Sequence, residues 1–109
     1  MCGLAGFIGF KDNTELAVKA NCMQQHRGPD NQSVWHDDYI AFAHQRLSII
    51  DLSEAANQPF HKHNLVGIFN GEIYNYKELQ DKLKTEKQVV FNTSSDTEVV
   101  LEMFIHYGY

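Results

Sequence analysis

The chain reads as an α+β layered fold, on three observations. Apolar stretches at 33–35 and 39–44 are separated only by His36-Asp37-Asp38, the spacing of a hairpin. Three other segments carry apolar residues at helical spacing, with start or stop residues at their ends. Several steps run strand to strand, so a regular βαβ repeat is excluded.

Taken in order, residues 3–10 predict a short strand apolar enough for burial on both faces. Lys11-Asp12-Asn13 is a polar turn. A helix is expected from Thr14 or Glu15, with Leu16, Ala20, Met23 and Arg27 along one side and a stop at Gly28-Pro29. The strand pair 33–35 and 39–44 follows, then an extended apolar piece at 47–50. Residues 52–59 hold turn formers, end at Pro59 and read as loop; 65–69 predict a strand. Asn75 and Glu78 stand at capping-box spacing and open a helix from 76 to about 84, with Leu79 and Leu83 on its apolar side. Residues 89–91 predict one more strand. Ser95 and Glu98 repeat the capping spacing for a last helix, with Val100, Leu101, Phe104 and Ile105 expected on one face and Gly108 as its terminator.

Composition narrows the function classes. Seven Phe, five Tyr and one Trp in 109 residues argue against disorder. A net charge of −5 supplies no basic field for nucleic acid or an anionic membrane. No apolar run approaches the ~20 residues that span a bilayer. Cys2 and Cys22 form no disulfide framework, which points to a reducing cytoplasm, and Cys22 inside a helical pattern reads as an inert buried thiol. His61 and His63 flank Lys62 in a polar loop, but no metal-ligand spacing accompanies them and no metal site is expected.

The chemistry begins at Cys2. Removal of Met1 would leave a thiol and a free α-amine on one residue, a nucleophile with its own base. The thiolate is the reactive form, and an α-amine of pKa about 7.7–8.0 can take its proton near neutrality. While Met1 stays attached that nitrogen is an amide, and an unprocessed chain is expected to be nearly inactive. Small apolar packing is the bland alternative for Cys2.

Further blocks accompany it: Cys2-Gly3-Leu4-Ala5-Gly6, His26-Arg27-Gly28-Pro29-Asp30, Arg46-Leu47-Ser48-Ile49-Ile50-Asp51-Leu52-Ser53, Gln58-Pro59, Asn70-Gly71-Glu72-Ile73-Tyr74-Asn75-Tyr76 and Ser95-Asp96-Thr97-Glu98. In this order and from end to end, they resemble the N-terminal glutaminase domain of class II, N-terminal-nucleophile glutamine amidotransferases, and within them most closely the glutamine-hydrolysing asparagine synthetases. The resemblance implies a layered αββα sandwich of the N-terminal-nucleophile hydrolase type, only partly covered by residues 1–109, with the rest of that domain and the synthetase domain absent. L-glutamine is the implied substrate, and the missing C-terminal synthetase domain the implied partner. No cofactor belongs to this chain; ATP and Mg2+ are expected only in the synthetase domain. Open sheet edges would leave such a piece marginally stable or prone to homo-oligomerise.

Hydrolysis of glutamine is acyl transfer, which needs a nucleophile, a base, an oxyanion pocket and handles for two charges. Asn70 and Gly71 suit the oxyanion pocket, a role the resemblance also assigns to them. On its own, Asn-Gly is equally a strong hairpin-turn signal. Arg46 can grip both oxygens of an α-carboxylate, or can make a strand-end ion pair with Asp51 or Asp38. Asp96 offers a carboxylate to the α-ammonium while also favouring a helix start; Glu72 is a second candidate. The His26–Asp30 block reads as architecture. A related amidotransferase with another acceptor, a non-catalytic glutaminase-like module, or another N-terminal-cysteine amide hydrolase are the competing readings.

Overall fold

The computed structural model describes residues 1–108, arranged as two layers. The first is an antiparallel sheet of β1 (Gly3–Ile8), β2 (Asn31–His36) and β3 (Ile40–Arg46) in the order β1-β3-β2. β2 and β3 close as the expected hairpin because Asp37 organises the turn: its carboxylate accepts the N–H groups of Tyr39 and Ile40, both at 2.7 Å. On the other side of β3, Gly3 stands opposite Gln45 and Ile8 opposite Ile40.

Helix α1 (Asn13–Met23) covers one face of this sheet. Ala17, Ala41 and Ala43 form the contact, flanked by Ala5, Phe7 and Val34. The helix differs from the expected pattern. Its buried residues are Asn13, Ala17 and Asn21, while Met23 is 79% exposed and Cys22 lies on the surface, not in the core. The reason is that the inner face is half polar. Asn21 donates to Ser33 O at 3.1 Å and receives Gln45 Nε2 on its own carbonyl at 2.9 Å; Asn13 joins Phe10 N–H to Tyr39 O. These amides satisfy buried backbone groups that apolar side chains would leave bare. The helix also stops at Met23, and a 3-10 turn at Gln25–Arg27 carries the chain to Gly28. A Cβ there would sit 2.5 Å from the Arg46 carbonyl carbon, so the strand end can pass only over glycine.

The second layer holds the hairpin β4 (Phe60–Lys62) and β5 (Leu65–Gly67), then α2 (Tyr76–Lys87) and α3 (Asp96–Tyr107). β4 was not expected, since His61 and Lys62 look like loop residues. Lys62 is nonetheless buried, its Nζ lying 2.7 Å from Glu98, 3.2 Å from Glu102 and 3.0 Å from Val90 O. The buried face of α3 accordingly carries Glu98, Val99 and Glu102, whereas Phe104 and Ile105 stay exposed and Val100 and Leu101 half-buried. Two buried carboxylates are tolerable there because Lys62 pairs with both and the Asn92 and Thr93 N–H groups answer Glu98.

Smaller corrections follow from the same packing. Residues 89–91 form no strand, and 47–50 leave the sheet as loop; 52–59 is loop with one 3-10 turn at Glu54–Ala56. Asn75 occupies the cap position of α2 without a side-chain cap bond, and that helix runs on to Lys87. Ser95 does cap α3, accepting Thr97 N–H at 3.1 Å, but Glu98 reaches away to Asn92, Thr93 and Lys62. No helix among the described residues is long and apolar enough to cross a membrane.

Candidate active site

The register of β1 against β3 sets the first pair. The ladder ends with Gly3 opposite Gln45, so Cys2 and Arg46 are the next residues beyond it on the two chains. Residues 41, 43 and 45 of β3 face α1, so 42, 44 and 46 face the second layer, as strand alternation requires. The half-buried Cys2 Sγ accepts Leu47 N–H at 3.3 Å and faces Leu47 O at 3.6 Å.

Arg46 is buried and held by the loop that follows it. Nη1 donates to Ser53 O at 2.8 Å and Asn57 Oδ1 at 2.6 Å, and Nη2 donates to Asp51 O. The contact with Asp51 is to its carbonyl; the carboxylate is engaged elsewhere. Five planar donors allow such a guanidinium to be fixed on one edge and still present another.

The remaining residues come from the second layer. Asn70 and Gly71 follow β5 and are exposed. Neither has a positive φ, which a type I′ hairpin turn would demand at both positions, so the turn reading is excluded. A Cβ on Gly71 would meet the Phe69 ring at 2.8 Å, and glycine keeps this backbone close to its neighbour. Asp96 opens α3, is buried, and accepts Ile73 N–H at 3.0 Å, binding the 70–74 segment to the helix. Glu72 is exposed between them.

Cys2, Arg46, Asn70, Gly71, Glu72 and Asp96 all line a single cavity of about 370 Å3 between the two layers. Its lining includes Arg46 and the acidic residues Asp51, Glu72 and Asp96. That is a surface suited to a small ligand carrying both signs of charge.

Sequence reasoning overlooked the role of Gln58. Its buried amide accepts Phe69 N–H at 2.6 Å and donates to Thr97 Oγ1 at 3.2 Å, while its carbonyl accepts Ser33 Oγ. One residue thus ties β2, the segment before Asn70 and the start of α3. The Gln58-Pro59 block was its only signal. His44, on the Arg46 face of β3, is fully buried, and burial pulls its imidazole down to about 4; the Phe69 backbone opposes this and the Arg46 charge adds to it. Neither ring nitrogen reaches a partner within hydrogen-bond geometry, so the Phe69 contact is a weak one.

Across residues 1–109 the chain matches the model of a glutamine amidotransferase domain. It belongs to that family. This amidotransferase domain is 44% identical over 115 residues to asparagine synthetase [glutamine-hydrolyzing] 1 of Bacillus subtilis (strain 168), covering 98% of this chain and 18% of that protein. It is 35% identical over 125 residues to amidase chry2 of Gibberella zeae, covering 99% and 18%. With asparagine synthetase [glutamine-hydrolyzing] of Brassica oleracea it shares 33% over 114 residues, covering 99% and 19%. The chain thus spans about a fifth of the length of these relatives.

Proposed function

We propose that this domain hydrolyses L-glutamine at Cys2 and supplies ammonia to an ATP-dependent amidation of aspartate. One observation carries the reading: six residues drawn from both layers converge on one cavity with the complement that a zwitterionic amide needs. After Met1 is removed, the Cys2 amine takes the thiol proton and the sulfur attacks the side-chain carbonyl carbon of glutamine. The oxyanion that forms is met by the Asn70 amide and the Gly71 N–H. The protonated amine passes its proton to the leaving nitrogen, and ammonia departs from a thioester. Water, deprotonated by the same amine, then releases glutamate and restores the thiol. Arg46 grips the α-carboxylate; Asp96 and Glu72 receive the α-ammonium.

In this proposal, residues 1–109 are the N-terminal part of the glutaminase domain, an αββα sandwich of the N-terminal-nucleophile type. The synthetase domain, where ATP and Mg2+ act, is its partner, and unpaired sheet edges give a basis for self-association. Two unpaired cysteines, one on the surface, fit a cytoplasmic setting. The similarity to a fungal amidase favours one second reading, the same glutaminase chemistry serving a different acceptor.

The test is glutamate release by the full chain, with Met1 loss confirmed by mass spectrometry, against Cys2→Ala. The proposal expects a drop of at least about 10³-fold, the scale seen when a nucleophile is deleted. Equal rates would end the glutaminase reading.

A further inference from the structure

Asp51 stands at the seam between the two charge handles of the cavity. Its Oδ1 accepts Ser53 N–H at 2.8 Å and Ser53 Oγ at 2.6 Å; its Oδ2 accepts Ser94 N–H at 2.8 Å and Ser94 Oγ at 3.1 Å. Its backbone carbonyl meanwhile receives Arg46 Nη2, and Ser53 O receives Nη1. Ser94 directly precedes the cap of α3, whose first residue is Asp96. A single residue therefore joins the loop that holds the guanidinium to the corner that holds the carboxylate, across 43 positions of sequence.

We propose that Asp51 is a positioning residue that sets the spacing between Arg46 and Asp96, and so makes the cavity selective for amides bearing both an α-carboxylate and an α-ammonium. The inference rests on the glutaminase reading. Its physical basis is that both α-groups hang from one carbon, so two handles help together only at a fixed separation. Four donors on one carboxylate are enough to fix it, because charge-assisted bonds are about twice as strong as neutral ones. They also hold the carboxyl down at about 2, an anion throughout any working range. Within Asp51→Asn the amide oxygen can still serve Ser53, but its NH2 then confronts the Ser94 N–H, and one half of the clasp opens.

The experiment compares L-glutamine with two analogues, glutaramate, which lacks the ammonium, and 4-aminobutanamide, which lacks the carboxylate. It uses the Met1-trimmed full chain, Asp51→Asn and Ser94→Ala, each checked for its thermal transition. Asp51→Asn should raise KM for L-glutamine by roughly tenfold to a hundredfold, the range for one lost charged hydrogen bond, with kcat within about threefold. Preference for L-glutamine over both analogues should shrink by the same factor. Ser94→Ala should move in the same direction by less. Ser94 does not line the cavity, so its effect must travel through Asp51. A uniform fall on all three substrates would overturn the inference, as would no change. Loss on L-glutamine and 4-aminobutanamide alike, with glutaramate spared, would also overturn it, by making Asp51 a direct ammonium contact. If Asp51→Asn does not fold, Ser94→Ala decides: an unaltered preference sinks the inference. A trimmed parent chain that leaves glutamine intact removes the glutaminase reading itself, and this inference with it.

Discussion

Alternate residues of β3 write the two faces of one sheet, and the faces differ in kind. Ala41, Ala43 and Gln45 turn to α1, where the side chains are small or amide-bearing and every contact closes the structure. Phe42, His44 and Arg46 turn to the second layer: Phe42 packs at a tilt against Trp35, His44 lies buried and neutral, and Arg46 lines the cavity. The closed face is narrow because alanines let the helix sit near the strands. The open face keeps a cavity because loops and only the first turn of α3 lie across its end. Reactive groups need room and approach, and a fold with one strand period can provide both only by giving each parity a separate task.

The largest expected effect lies beyond the open face, at the loop facing Cys2. Asn70→Ala should lower kcat for glutamine by about 10²–10³-fold, the cost of one oxyanion donor, with an unchanged thermal transition because Asn70 is exposed. A stability loss with normal turnover would reverse the division of labour proposed for the two faces.

His44 sharpens the comparison from the buried end of the open face. Its pKa is depressed from 6.5 to about 4, so between those values the unfolded chain binds a proton that the folded one refuses. Its stabilising share is full above pH 6.5 and is lost as pH falls toward 4. The whole shift corresponds to about 3 kcal/mol. Thermal transitions from pH 7 to 4 should therefore fall in the parent chain and flatten in His44→Gln. An unchanged slope in that variant would assign the acid sensitivity to another group.

How much of this was legible depends on where each partner lies in the chain. The β2–β3 hairpin was readable because Asp37 bonds to residues two and three positions on. The Ser95 cap was readable for the same reason. The inner face of α3 was not, since Glu98 is buried only through Lys62, 36 residues away on a strand that composition did not suggest. Likewise Asn21 faces the sheet because of Gln45 and Ser33, which no window around the helix contains. The site residues were legible as a set of blocks in family order, whereas their meeting in space was not. The ties made by Gln58 and Asp51 were not legible, because each joins segments far from it in sequence.

The closed face supplies the mildest test. Ala43 is 1% exposed, stands opposite Ala5 and Val34, and packs on the fully buried Ala17. Replacing it with leucine adds three carbons where α1 and β3 already touch, and neighbours must shift. Overpacking of this kind costs about 1–3 kcal/mol, and each kcal/mol lowers Tm by about 4–8 °C in a domain near 100 residues. KM for glutamine, measured well below the new transition, should stay at the parent value. The strain falls on α1, and the backbone of β3 is fixed by hydrogen-bonded partners on both sides. Should Ala43→Leu instead raise KM several-fold while Tm holds, strain would be crossing the strand to Arg46. The two faces would then be one mechanical unit, and the separation of tasks between odd and even residues of β3 would have to be abandoned.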